Sequence, residues 1–213
     1  MKGLLLNNVY TVKRSIQSSS LLAIAIVIVL LITQNNMALR AGIFLPFLLI
    51  PVHAFEVLKH DARSGWQKFE MTLPVTRKTI VTSKYVTFLL LFITSMIIVS
   101  IPFLLTHMFV YPTMNALFFN FLLRGMGLVM SIATLTFPLT YILGTEKSDT
   151  ITISSVGFSL GLFFAVSLLL LQFIGSIERF DEMFSIIFFV ITAVLFVTSY
   201  IVSMVVYAKK EFH

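Results

Sequence analysis

The chain has 213 residues, of which 58% are hydrophobic and 11% charged, with a formal net charge of +6 and a mean hydropathy of +1.01. A soluble domain of this length has too little interior to bury so much apolar surface. The composition therefore excludes a soluble enzyme, a nucleic-acid-binding protein and a disordered chain, and it indicates an all-α integral membrane protein. The absence of cysteine excludes disulfides and thiolate metal sites.

Six apolar runs are long enough to cross a bilayer, because a spanning helix needs about 20 mostly apolar residues. They predict spans over residues 18–33, 38–58, 86–110, 117–143, 151–174 and 183–207. The segments outside the membrane are short, and the longest of them, 59–85, is too small for a catalytic or nucleotide-binding domain. We therefore expect one transmembrane domain over residues 1–213.

Lysine and arginine fall mainly on one side of these predicted spans. Twelve of the 15 lie before the first span, between the second and third, between the fourth and fifth, or in the tail. Basic loops stay on the cytoplasmic side of a membrane. The pattern predicts a multi-pass protein of the cell membrane with both termini in the cytoplasm.

Residues 2–18 predict an amphipathic helix before the first span. Leu5, Val9, Val12 and Ile16 share one face at helical spacing. Two interpretations remain open. The segment is either an interfacial helix that lies in the membrane surface and sets the entry angle of the first span, or a cytoplasmic extension of that span.

The cytoplasmic segment 59–85 predicts a short helix with an apolar stripe, which consists of Ala62, Trp66, Phe69 and Leu73. Asp61 lies off this stripe. The stripe is either a docking surface for a cytoplasmic partner, since Trp is enriched at interface hot spots, or an interfacial helix whose Trp sits among lipid headgroups. Both interpretations of the stripe remain open.

The residues after this stripe predict where it ends and where the next helix begins. Pro74 disfavours a helical conformation before it. Thr76 is placed to cap a helix that starts at Arg77 and runs into the third span. We interpret the basic residues of this stretch, Arg77, Lys78 and Lys84, mainly as a topology signal.

Arg124 lies inside the fourth predicted span, where a charge is costly. Either it pairs with an acidic residue of the last outer loop, or it lines a translocation path. The candidate partners are Glu178, Asp181 and Glu182.

The fifth span contains G-x-S-x-G at 157–161, which leaves open an intramembrane serine hydrolase using Ser159. That motif needs a strand-turn-helix context and a nearby histidine, and spans four to six contain no histidine. A helix-packing role fits more of the residues, because small side chains recur along one face and permit close approach of helices. This small-residue stripe consists of Ser154, Gly157, Gly161 and Ala165.

The chain lacks the motifs of an energy source. It has no phosphate-binding G-x-x-x-x-G-K-[ST] sequence, no H-E-x-x-H metal motif and no cluster of intramembrane carboxylates. We expect no cofactor or metal in this chain. With the predicted docking helix, this absence indicates a membrane subunit driven by a separate protein; a membrane anchor or sensor that transports nothing is the alternative.

The pattern resembles the permease subunits of ABC-2 type transporters, in particular a small bacterial branch that includes the permeases of phenol-soluble modulin exporters. The resemblance is carried by the six spans, the N-terminal helix and the long first cytoplasmic loop. Within that loop it is carried by the sequences DARSGWQKF (61–69), LPVTR (73–77) and SKY (83–85).

The resemblance implies an ATP-driven exporter of amphipathic peptides that works by alternating access. The loop would hold a coupling helix that docks in a groove of a cytoplasmic ABC ATPase, with Trp66, Phe69 and Leu73 at the contact. A second contact would lie at 144–151, with Glu146, Lys147 and Asp149. Two permease subunits, as a homodimer or heterodimer, would work with two ATPases that bind Mg-ATP.

One departure from the family narrows the substrate class. Large exporters of this superfamily carry re-entrant helices in the last outer loop, and residues 175–182 are too few for one. Export of small amphipathic peptides or drugs is thus favoured over export of lipid-linked polysaccharides.

Overall fold

A computed structural model of the chain describes residues 1–33, 49–70, 72–109, 115–173 and 177–209. These residues form α-helices and one 3₁₀ turn, with no strand among them. In chain order the elements are α1 (Lys2–Thr33), α2 (His53–Arg63), α3 (Trp66–Glu70), α4 (Arg77–Phe109), α5 (Asn115–Leu143), the 3₁₀ turn (Thr145–Lys147), α6 (Ser148–Phe173) and α7 (Ile177–Lys209).

Among the described residues, four helical segments are long and apolar enough to cross a membrane: Arg77–Ile101, Phe119–Leu143, Thr145–Phe173 and Phe180–Lys209. They correspond to the third to sixth predicted spans. The first predicted span falls within α1. Most of the second, 38–58, lies outside the described residues, so six spans stay a prediction.

The N-terminal segment is one continuous helix with the first predicted span. Residues 2–33 form α1 without a break at residue 18. This corresponds to the second interpretation, an extension of the span, rather than to a separate interfacial helix over 2–18. The reason is that Leu4, Asn8 and Val12 are buried, and α1 packs along α4 and α2.

The segment predicted as one coupling helix is divided into two. Ser64 and Gly65 separate α2 from α3, and Gly65 has φ 71°, a left-handed conformation that glycine adopts without steric cost. The predicted stripe is therefore spread over the end of α2, α3 and the turn after it. The prediction for the next helix is confirmed: α4 begins at Arg77, and the Thr76 hydroxyl accepts a hydrogen bond from the Thr79 N–H at 3.3 Å.

The main core lies where α2, α4, α5 and α7 meet. Its centre is a set of stacked and edge-on aromatic rings from Phe55, Tyr85, Phe88, Phe137 and Phe196. The most extensive helix pair is α5 with α7, and a smaller cluster around Phe184 and Phe188 packs α6 against both. The core thus holds α2 against the long apolar helices α4, α5 and α7.

The contact between α5 and α7 depends on Gly127. A Cβ at this position would lie 2.6 Å from the ring of Phe188, which is fully buried and packed against other rings. We expect Gly127→Ala to destabilise the protein by about 1–3 kcal/mol through overpacking, measured as a lower melting temperature in detergent.

Gly157→Ala is the matched control for that substitution. In the described part of the chain a Cβ at Gly157 meets nothing within 4 Å, and the residue lies on the exposed face of α6. Its melting temperature should not fall. An equal loss in both variants would contradict the close α5–α7 contact.

Candidate functional site

The structure brings the two predicted ATPase contacts to one end of the helix bundle. The 3₁₀ turn packs against α2, and Lys59 of α2 forms an ion pair with Asp149 at the start of α6, with 2.8 Å between Nζ and Oδ1. Glu146 and Lys147 are exposed beside it. Segments 59–70 and 144–149, which are distant in sequence, therefore meet at this end of the bundle, and their exposed residues make up its end surface.

The aromatic residues of the predicted stripe lie on this surface but differ in exposure. The side chain of Phe69 is 52% exposed, whereas Trp66 is half-buried, and their ring centroids are 5.1 Å apart. Ala62 is half-buried at the end of α2, and Leu73 packs against the main core. Phe69 is thus the member of the stripe that is free to contact a partner.

A shallow apolar groove is lined in part by Trp66, whose ring contacts that of Phe69. It has a volume of about 240 Å³ and lies between the start of α1 and the turn after α3. Residues that line it include Met1, Leu4, Trp66, Leu73 and Val75. The groove and the exposed ring together present apolar surface at an end of the molecule that is otherwise rich in charge.

A buried cluster of charged residues lies beneath this surface. Lys84 of α4 is 3% exposed and forms ion pairs with Asp61 of α2 and with Glu70 of α3, the second at 3.3 Å. Its ammonium group also donates a hydrogen bond to Asn8 Oδ1 of α1 at 2.8 Å. The Trp66 indole N–H donates to Glu70 Oε1 at 2.8 Å. Four helices therefore meet at one lysine.

The cluster contains two carboxylates for one ammonium group. Burial raises the pKa of both Asp61 and Glu70, and the attraction of Lys84 opposes this rise. No described residue donates a hydrogen bond to the second carboxylate oxygen of Asp61. The lysine is therefore essential to the arrangement, because without it two acidic groups would be buried without a cation.

Sequence reasoning missed this cluster. Lys84 was interpreted with Arg77 and Lys78 as a topology signal, but it points into the protein, in register with the buried residues Ile80, Val81 and Phe88. That helical register was the available signal. Asp61 was expected to lie off the apolar stripe, and its burial depends on the break at Gly65, which turns α3 back toward α4.

Arg124 pairs with an acidic residue, as one of its two interpretations proposed. Its guanidinium donates to Asp181 Oδ1 at 2.8 Å, to the Asp181 carbonyl at 2.9 Å and to Ser185 Oγ at 3.0 Å. It also lies 5.0 Å from the ring centroid of Phe184. These contacts join α5 to α7 and use the guanidinium for a structural link.

The described surroundings of Ser159 are those of a contact between two helices. The residue is buried between α6 and α5, where its hydroxyl pairs with that of Ser131 and donates to the Leu128 carbonyl at 3.0 Å. Both partners are ordinary helix-packing contacts, and neither can activate a nucleophile as a histidine would. The geometry gives no support to the hydrolase alternative.

The predicted small-residue stripe lies on the other face of α6. Its members are exposed and pack against no helix in the parts of the chain described here, because α6 buries Ile151, Ser155, Ser159 and Val166 instead. The described residues leave this face uncovered. A packing role for Ser154, Gly157, Gly161 and Ala165 stays a prediction.

These features define a multi-pass, all-helical membrane protein with a structured segment at one end of its spans. The chain belongs to the ABC-2 family of transporter proteins, whose family model, described as ABC-2 family transporter protein, matches residues 3–208. Comparison with curated proteins and with solved structures gives no match. The protein is therefore the membrane-spanning permease subunit of an ABC transporter, and its family implies an ABC ATPase as partner.

The structural role of Arg124 can be tested by a double-mutant cycle with Asp181. We expect Arg124→Gln and Asp181→Asn each to lower the melting temperature in detergent, because each leaves the other group without its partner. The double variant should lose less free energy of unfolding than the two single variants lose together, with a coupling energy of about 0.5–3 kcal/mol. Additive effects, or a loss of transport at unchanged stability, would instead favour a place in the translocation path.

The charge imbalance of the cluster predicts a pH dependence of stability. A raised carboxyl pKa in the folded state contributes stability that is fully present below about pH 4, and this stability is lost as the pH rises through the raised value. Asp61→Asn removes the titration but keeps an acceptor for Lys84. As the pH rises from 4.5 to 7.5, the melting temperature of the variant should rise relative to that of the wild type. A difference independent of pH would contradict the raised pKa.

Proposed function

We propose that the surface formed by α3 and the 3₁₀ turn docks the ABC ATPase and that the transporter exports amphipathic peptides. The docking part of the proposal is supported by one contact: the Lys59–Asp149 ion pair joins two separate cytoplasmic segments. A motor protein that must move several helices together needs a contact with more than one of them. This surface offers α2, α3 and the start of α6 at once.

Phe69 supplies the apolar anchor of the proposed contact. Its ring is exposed and contacts Trp66, which lines the groove together with Leu73, so a partner could cover the ring and the groove in one step. Burying an aromatic side chain removes roughly 150–250 Å² from water, and about half of the Phe69 side chain is already covered. At about 25 cal/mol per Å², the remaining area is worth on the order of 2–3 kcal/mol.

The proposed surface faces the cytoplasm. The support is the distribution of lysine and arginine, since the loops at this end of the bundle carry most of the basic residues of the chain. The opposite end of α6 lies about 39 Å away, which is 26 residues at 1.5 Å each and enough to cross the bilayer. Both termini are then in the cytoplasm, where the ATPase binds Mg-ATP.

The proposed substrate class rests on the outer side of the chain and on its family likeness. α6 ends at Phe173 and α7 begins at Ile177, so the three residues between them are too few for re-entrant helices, which leaves no room for the handling of a polysaccharide chain. Substrates of this permease would be amphipathic peptides such as phenol-soluble modulins, which enter from the cytoplasm or the inner leaflet. ATP binding would close the two ATPases and move two permease subunits between inward and outward access.

Phe69→Ala tests the docking surface with little effect on the fold, because the ring is half exposed and packs only against Trp66 among the ring contacts described. We expect the variant to lose co-purification with the ATPase and stimulation of ATP hydrolysis, while its melting temperature stays near that of the wild type. Trp66→Ala is less suitable, since it also removes the hydrogen bond to Glu70.

Phe173→Ala is the matched control, an exposed phenylalanine at the far end of α6. It should bind and stimulate the ATPase like the wild type. Unchanged association in Phe69→Ala, or the same loss in Phe173→Ala, would overturn the proposed surface. Transport of a fluorescently labelled amphipathic peptide into inverted vesicles tests the substrate class separately.

A further inference from the structure

The five-residue helix α3 is tied to the spanning helices by buried charge. Its exposed face carries Phe69, and its buried face carries Glu70, which is 1% exposed and reaches Lys84 of α4. The backbone before α3 permits movement, because Gly65 precedes it in a left-handed turn and has no side chain to restrict rotation. The side-chain contacts of Glu70 thus decide whether α3 can move alone.

A short series of contacts connects the exposed ring to α1, α2 and α4. Phe69 packs on Trp66, whose indole N–H donates to Glu70, and Glu70 pairs with Lys84. Lys84 in turn holds Asp61 of α2 and Asn8 of α1. Asn8 also donates to Thr87 Oγ1 at 3.1 Å, one turn further along α4.

Separating one member of this series from the others is costly. Asn8, Asp61, Glu70 and Lys84 are each at most 3% exposed, so water cannot replace a lost partner without a larger opening of the structure. Removal of one partner from a buried ion pair leaves an uncompensated charge, which is strongly destabilising. The four helices can therefore shift together at much lower cost than α3 can shift against the rest.

We infer that Lys84 is the positioning residue that makes α3 and the adjoining parts of α1, α2 and α4 move as one rigid unit when the ATPase closes. This inference rests on the proposed ATPase docking at α3. Lys84 touches neither ATP nor substrate. It acts through Glu70 and Asn8, and the alternative it excludes is a hinge at Gly65 about which α3 moves independently.

The direct measurement is the distance between spin labels on the two sides of the cluster. The chain has no cysteine, so labels can be placed at two exposed positions, Arg14→Cys on α1 and Thr72→Cys just after α3. In the complex with its ATPase, the distance distribution should be the same without nucleotide and with ATP trapped by a hydrolysis-deficient ATPase. A shifted distribution on ATP binding would overturn the rigid unit.

Variants separate this positioning role from stability alone. Lys84→Met can fail to fold, since it leaves two buried carboxylates without a cation. The triple variant Lys84→Met, Asp61→Leu, Glu70→Met replaces the charges by apolar groups of similar size, which such sites often tolerate. We expect it to fold and to bind the ATPase, but to broaden the label distances on ATP binding and to lose stimulated hydrolysis. The single variant Lys84→Arg, which keeps the positive charge, should keep both the narrow label distances and the stimulated hydrolysis.

Tyr200→Phe is the control for loss of a polar contact to α4 outside the cluster, because its hydroxyl pairs with Thr82 at 2.8 Å. It should keep the wild-type distances and hydrolysis. A triple variant with wild-type distances and stimulation would show that the charges only stabilise the fold and would refute the inference. If the wild-type protein does not bind the ATPase, the docking proposal itself is refuted.

Discussion

The structure of one end of this permease depends on the contacts of the Lys84 ammonium group. This group is the point at which α1, α2, α3 and α4 meet, and its partners Asp61, Glu70 and Asn8 are almost fully buried. Burying a charge is costly unless its partners are in place, so the four helices hold a single arrangement. The exposed surface around Phe69 takes its shape from this buried cluster.

The membrane imposes the rest of the architecture. Helices satisfy their own backbone hydrogen bonds in lipid, so the long apolar runs become the helices α4 to α7. Their polar residues are used for contacts between helices: Arg124 with Asp181, Ser131 with Ser159 and Tyr85 with Ser199 and Ser203. Polar contacts within the bundle thus hold these helices together, while the charges at one end of the bundle lie beneath and around the proposed docking surface.

The sequence predicts most of the helical plan but less of the site. Hydropathy locates the third to sixth spans, because a run of some 20 apolar residues has few alternatives, and Thr76 correctly marks the start of α4. The division of the coupling segment at Gly65 and the burial of Lys84 depend on contacts between residues 14 to 76 positions apart, which local patterns do not encode. Nor does the sequence show which face of α6 is buried, because its small-residue stripe has the same helical spacing as the face that packs against other helices.

The most direct test of ATPase docking is a cysteine cross-link at position 69, which the absence of native cysteine makes specific. Phe69→Cys in membranes should cross-link to the ATPase with a short thiol-reactive reagent, and an impermeant maleimide added to intact cells should not label it. Labelling from outside the cell, or a cross-link to the ATPase from Phe173→Cys but not from Phe69→Cys, would contradict the account.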